Sequence, residues 1–402
     1  MKKLVAILIV ICLIFVGVVG CAGTEKAPAP EETADIPAAD EPAGDIDIPV
    51  TAAGELDFDA MYASHEPDEI VLTVGGRDVT WGEYFYVFFT QASQIQEYFT
   101  VMSMYYGASL SWSDTMGEDS DVTYARYVLD STEQTIRQLQ AVRAFAAEND
   151  IQLTDEDIAA LEEETAENME AFCGQGATEA DFEEYLAGIY LTRELYDDLG
   201  HVNYLYQRCF KELYGENSEL YDEAEAVKYL EDNGYISANH ILLMTIDRGT
   251  GEELDEAAQS EKEAQAKQIA QELQGIEDQQ ALLERFAELK EQYCEDTGKT
   301  AYPDGYVFTP GTMVAEFEDT CNALEAYQVS DPVKSSYGYH IIIRLPSDAD
   351  RVMQYSSEGT PMSARAVAAN EEFGSRMQEC YEGIELSFAP GFVPPAIGDY
   401  LK

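Results

Sequence analysis

The chain has 402 residues, 46% of them hydrophobic, which is enough for two or three domains with sizeable cores. Its formal charge of −55, from 78 acidic against 23 basic residues, makes nucleic acid and anionic lipid poor partners and favours cationic ones. A solvated acidic surface with no partner at all is the plainer explanation of the same charge.

Lys2 and Lys3 precede an uncharged apolar run from Leu4 to Val19. A basic start and a short apolar core predict an export signal over 1–20. The run ends at Val18-Val19-Gly20-Cys21, which resembles a bacterial lipobox. That resemblance implies lipidation on the Cys21 sulfur and cleavage before it; an uncleaved anchor with a chance cysteine is the alternative. Loss of the two lysines would take the charge to −57. Residues 21–68, rich in Ala, Pro, Asp and Glu, read as a disordered acidic tether. Of seven cysteines, Cys12 leaves with the signal and Cys21 carries lipid. Cys173, Cys209, Cys294, Cys321 and Cys380 remain, an odd number without a CxxC pair, so free thiols are predicted and a zinc site is not.

Order is predicted from Ile70. Ile70–Val74 is strand-like, Gly75-Gly76 is a turn signal, and Val79-Thr80 returns. Thr80 with Glu83 fits a capping box opening a helix through Phe85, Phe88 and Phe89. A second helix covers about 122–148, with Ile136, Leu139, Val142 and Phe145 on one face. Thr154 caps a third, Gly174 and Gly176 break it, and Thr178 opens a fourth. Residues 69–235 are therefore a helical module after a hairpin. Its aromatics Tyr84, Phe85, Tyr86, Phe88, Phe89, Tyr98 and Phe99 suit a helix core, with a face for client chains as the alternative reading.

Between 236 and 346 the pattern turns mixed. Ile236–Met244 is a strand containing His240. Helices follow over Asp255–Gln274 and Gln279–Tyr293, then a polar turn through Asp296, a strand at Tyr306–Phe308, and a helix near 314–324. His340 lies in a final apolar strand. Residues 347–402 hold a helical stretch from Ser363 to Glu382 and a Pro-rich end.

Four motifs in this order resemble the parvulin family of peptidyl-prolyl isomerases. They are Ala238-Asn239-His240-Ile241-Leu242; Phe286-Ala287-Glu288-Leu289 before Asp296; Gly311-Thr312-Met313-Val314-Ala315-Glu316-Phe317-Glu318; and Val333-Lys334 through Gly338-Tyr339-His340-Ile341-Ile342. The hairpin phrase from Val71 to Thr80 and the segment Ala147–Asp157 resemble SurA- and PrsA-like chaperone modules. The resemblance implies an α+β fold: a mostly helical chaperone module with an inserted parvulin-like domain, a small antiparallel sheet surrounded by helices. Its C-terminal segment 347–402 would pack back on the helices. It implies His240, Asp296, His340 and Ser335 as catalytic residues, with Phe308, Met313 and Phe317 as the proline pocket, and neither metal nor cofactor.

The function so implied is a foldase acting on X–Pro bonds of unfolded exported polypeptides, lipid-anchored outside the membrane of a Gram-positive cell. The resemblance leaves room for a homodimer. The rival is a non-catalytic holdase with a degenerate parvulin fold; a solute-binding lipoprotein is a third class, disfavoured by the lack of repeated strand-helix units. Three departures from the family pattern stand out. Asn239 replaces the usual Ser or Arg, Ala301–Tyr306 replaces a Gly-Gly-Asp-Leu-Gly run, and the 246–256 loop offers only Arg248 among acids, which argues against phosphate recognition.

Overall fold

A computed structural model describes residues 54–117, 120–357 and 359–402. The signal and Cys21 lie outside these residues. The described residues divide into two compact units: one formed by those up to Glu212 together with Phe373–Lys402, and one by those of Leu213–Glu372. The second unit is thus an insertion in the first, and the fold is mixed, with helices around small antiparallel sheets.

In the first unit Ile70–Val74 pairs antiparallel with Arg77–Thr80 on one side and with Leu386–Phe388 on the other. Gly75 and Gly76 turn the hairpin at positive φ, where a side chain would be strained. Thr80 accepts the Glu83 N–H and so starts the long helix Trp81–Tyr106. The reciprocal half of the expected capping box is not made. The Glu83 carboxylate is buried and takes both guanidinium nitrogens of Arg77, at 2.8 and 2.5 Å, a charge-assisted pair that outcompetes a backbone amide. Full capping boxes do form at Thr154 with Asp157 and at Thr178 with Asp181.

The core of this unit takes up most of the aromatics. Trp81, Tyr84, Phe85, Tyr86 and Phe88 are fully buried or nearly so, and Phe89 is packed against the same cluster. Further along the same helix the pattern reverses. Met104, Tyr105 and Tyr106 are 72%, 77% and 75% exposed, and Tyr98 and Val101 are also exposed. Order also begins earlier than the composition suggests. Residues 54–68, expected within the tether, include the helix Phe58–Tyr62, and Leu56 and Met61 are buried in the core. Trp81 Nε1 donates to the Tyr62 carbonyl at 2.8 Å. Apolar side chains at 56, 58, 61 and 62 overcome the acidic composition because helix-spaced burial outweighs it.

In the second unit a four-stranded antiparallel sheet has the order Tyr306–Phe308, Ile236–Met244, Gly338–Leu345, Val333–Lys334. Strands alternate their side chains between two faces. One face, with Ile241, Leu243, Ile341 and Ile343, is covered by the helices Glu256–Gln274 and Gln279–Tyr293 through Ala266, Ile269, Leu273, Phe286 and Leu289. The other face carries Ala238 and Ile342 beneath Phe317 and Cys321 of the helix Ala315–Ala323. A small hairpin, Val352–Tyr355 with Pro361–Ser363, completes the unit, and Leu230, Val307, Met353 and Ala364 form a satellite core. Cys173, Cys209, Cys294, Cys321 and Cys380 are free thiols.

Candidate functional site

The register of the two long strands brings the histidines together. Leu242 pairs with His340 and His240 with Ile342, so the two imidazoles are diagonal neighbours on one face of the sheet. Their Nδ1 atoms lie 3.0 Å apart, and both side chains are buried. Gly338 makes this register possible. A Cβ there would lie 2.1 Å from the Leu243 carbonyl oxygen. Gly338→Ala is therefore expected to destabilise this unit by about 2–3 kcal/mol, seen as a lowered denaturation midpoint. A midpoint unchanged from the wild type would show that the strands can part without cost.

Asp296 reaches the pair from the turn after the helix Gln279–Tyr293. The chain passes close to the strand there, since the Glu295 N–H donates to the Leu242 carbonyl at 2.9 Å. Asp296 then caps the short turn Thr297–Thr300, its Oδ1 accepting the Gly298 N–H at 3.1 Å. That leaves Oδ2 for His240 Nε2 at 3.0 Å and the Tyr306 hydroxyl at 2.5 Å. Burial opposes the charge on Asp296, but the bonds from His240, Tyr306 and the Gly298 amide prevail and hold its carboxyl well below the usual range.

At the other end Ser335 Oγ lies 2.7 Å from His340 Nε2 and accepts the Tyr337 N–H at 3.1 Å. Burial and the neighbouring His240 pull the His340 pKa down to about 3, against a smaller opposing pull from Asp296. That ring is therefore neutral at physiological pH. The ionised carboxylate can only accept, so where His240 carries a single ring proton it sets one order of donors. His240 gives Nε2–H to Asp296, accepts at Nδ1 from His340, and His340 accepts at Nε2 from Ser335. The four side chains form one hydrogen-bonded line ending at an anion.

This line forms one wall of a cleft of about 590 Å³, open to solvent and lined also by Leu242, Met244, Met313, Val314 and Phe317. Such a volume suits one or two peptide side chains. The Phe317 ring packs edge-on against both imidazoles, with centroids 5.3 and 5.6 Å away. Met313 and Phe317 therefore face the cleft. Phe308 does not line it: it is buried behind Phe317, with ring centroids 5.8 Å apart. Ser335 is likewise behind the wall rather than in it. The lining contains one cation, Arg248, against Asp247, Glu295 and Asp296. Among the described residues no group of three or more His, Cys, Asp or Glu could hold a metal ion.

The motif reading missed two groups. Tyr306 is the second donor to Asp296, and it lies in the segment that departs from the family pattern. Lys290 sits on an apolar helix stripe yet is buried. Its ammonium donates to Asn239 Oδ1 at 2.8 Å and to the Tyr302 and Pro303 carbonyls at 2.9 Å each. No periodicity argument finds a lysine that folds under a loop, because its partners are backbone oxygens elsewhere in the chain.

Comparison with known proteins agrees with the geometry. The family model described as "Rotamase: PPIC-type PPIASE domain" matches residues 240–345. The chain is 31% identical to the foldase protein PrsA of Oceanobacillus iheyensis over 212 residues, 52% of this chain and 58% of that protein. It is 48% identical to foldase protein PrsA 4 of Bacillus cereus over 81 residues, 20% of this chain and 26% of that one. The matches thus span about half or less of these relatives. A solved foldase structure (PrsA) from Lactococcus lactis covers 83% of this chain and 99% of its own at 12% identity, with a TM-score of 0.27, too low to bear on the fold. Residues 240–345 belong to the PPIC-type, or parvulin, family of peptidyl-prolyl isomerases, within a chain similar to the PrsA foldases.

Proposed function

We propose that this chain is an extracytoplasmic foldase, held to the outer face of the cell membrane through lipid on Cys21, that catalyses cis/trans isomerisation of X–Pro bonds in unfolded exported polypeptides. The observation that carries the catalytic part is the buried line Ser335–His340–His240–Asp296 ending at an apolar cleft. Unaided, an X–Pro bond isomerises in tens to hundreds of seconds over a barrier of roughly 18–20 kcal/mol. Twisting the bond removes amide resonance and leaves a less polar carbonyl. A cleft that grips the proline ring between Met313 and Phe317 and excludes water favours that twisted state over the planar one. Asp296 faces the bond as a fixed charge, and the histidines fix its orientation; no covalent intermediate is required. Phe308 supports the pocket by backing Phe317.

The acidic lining favours a neutral or basic residue over a phosphorylated one near the proline. The test is peptide isomerisation kinetics with the full chain: acceleration of an Xaa–Pro peptide is expected, and none at micromolar enzyme would overturn the catalytic reading. The second reading, a holdase without turnover, is favoured by the exposed run Tyr98, Val101, Met104, Tyr105 and Tyr106. Exposed apolar side chains of this kind at the end of one helix suit transient contact with unfolded chains. It predicts suppression of client aggregation that persists when isomerisation is absent.

A further inference from the structure

The cleft of the second unit contains a tyrosine that the motif pattern does not assign. We propose that Tyr306 is a positioning residue of this site: its hydroxyl, carried by a rim segment that Lys290 ties down, orients the Asp296 carboxylate and keeps it the acceptor at the mouth of the cleft. The proposal rests on the reading of Asp296 as the group that faces the prolyl bond.

Three independent features place the hydroxyl. The rim segment before Tyr306 is tied down at successive carbonyls: Tyr355 donates to the Ala301 carbonyl at 2.5 Å, and the Lys290 ammonium takes those of Tyr302 and Pro303. Asn239 Nδ2 adds a longer bond to Pro303 at 3.3 Å while its Oδ1 satisfies the third ammonium proton. A buried ammonium with three acceptors tolerates no slack, because any lost partner leaves a charge unpaired in low dielectric. Next, Gly305 lies so close to the central strand that a Cβ there would be 2.6 Å from the Ala238 carbonyl oxygen, so any other residue would force the rim to lift. Finally, the Tyr306 ring packs at a tilt against Tyr302, with centroids 4.9 Å apart, and its hydroxyl passes directly over Gly298, where a Cβ would lie 2.0 Å from it. A side chain at 298 would therefore meet the phenol where it reaches Asp296.

The consequence for Asp296 is chemical. Its Oδ2 accepts two donors, which fixes the carboxylate plane and leaves little freedom to turn toward water. The ionisable groups facing it are His240 from the central strand and Tyr306 from the rim, with Lys290 and His340 further away. Burial and the Asp296 charge push the Tyr306 phenol up, so it stays a donor at every accessible pH. A hydrogen bond to an ionised group contributes more than a neutral one, so its loss should be felt at the carboxylate itself.

The test combines a 13C carboxyl titration of Asp296, assigned by its absence in Asp296→Asn, with the pH profile of kcat/KM in the full chain. In Tyr306→Phe the Asp296 midpoint should rise by about one pH unit, with the acid limb of kcat/KM moving in step and its plateau falling about tenfold. Gly298→Ala keeps the amide that donates to Asp296 but displaces the hydroxyl, so it should reproduce both shifts. The double variant should shift no further than Tyr306→Phe alone. An unmoved midpoint in Tyr306→Phe, or additive shifts in the double variant, would overturn the proposal, since a purely structural tyrosine lowers the plateau without moving the limb. A wild type that accelerates no peptide while the Asp296 midpoint still moves would overturn the isomerase reading and uphold the placement of Tyr306.

Discussion

Replacing Asp296 with alanine is expected to lower kcat/KM for X–Pro isomerisation by about a hundredfold, an effect typical of removing a preorganised charge from a shielded site. The carboxylate makes two sets of bonds, and stability and kinetics of the variant read them separately. As the cap of the Thr297–Thr300 turn it satisfies the Gly298 amide, a contribution to stability of about 1 kcal/mol. As the terminus of the histidine line it accepts from His240 and Tyr306, and both donors lose their partner in the alanine variant. If Asp296 were only a cap, the variant would melt slightly earlier and turn over normally. Kinetics on folded protein decide between the two, and activity within about threefold of wild type would reduce Asp296 to its capping role. Asp296→Asn is the sharper variant: it retains the size and one acceptor, but its amide hydrogens meet the donors of His240 or Tyr306.

Acid should weaken the second unit through His340. In the folded chain this ring stays neutral down to about pH 3, because burial and the adjacent His240 oppose its charge. In the unfolded chain a histidine takes up its proton near pH 6.5. Between these values the unfolded state binds a proton that the folded state refuses. Stability is therefore complete above about pH 6.5 and is lost as pH falls toward 3, by at most ~1.4 kcal/mol per pH unit. The depressed Asp296 acts in the same direction, but only below the ordinary carboxylate range. Relief of repulsion among the many other carboxylates acts in the opposite direction, so the measurement must be a difference. Stability of the wild type minus that of His340→Gln should decrease steadily from pH 7 to pH 4, and a flat difference would show that His340 is not held neutral. Both tryptophans, Trp81 and Trp112, belong to the first unit, so their fluorescence does not report on the surroundings of His340. Hydrogen exchange at the buried Ile341–Ile343 strand reads it directly.

Acid sensitivity, catalysis and the order of the rim share one physical root. Each depends on a charged or polar group buried beside the sheet and satisfied by partners far away in the chain. His240 and His340 are a hundred residues apart, Asp296 and His240 fifty-six, Lys290 and Asn239 fifty-one. Such groups couple stability to function. Loosening the rim at Lys290 or Tyr355 would disturb the site without touching its lining.

Much of the architecture was legible in the amino-acid order. The strands at 70–74 and 236–244, the helix starts at Thr80, Thr154 and Thr178, and the helices at 256–274 and 279–293 follow from period and capping. These rules act within about four residues, so the local chain contains all that they need. The same order placed two histidines in apolar strands and an acid in the turn between them, and motif spacing tied them to one family. Tertiary structure alone decided the rest. It set the register that puts Leu242 opposite His340, turned Glu83 away from its cap toward Arg77, and moved Phe308 behind the cleft. It also drew residues 54–68 into the core and laid the Tyr306 hydroxyl on Asp296. The reason is common to all of these. A buried polar group must find a partner wherever the fold supplies one, and that supply is a property of three-dimensional packing rather than of neighbouring residues.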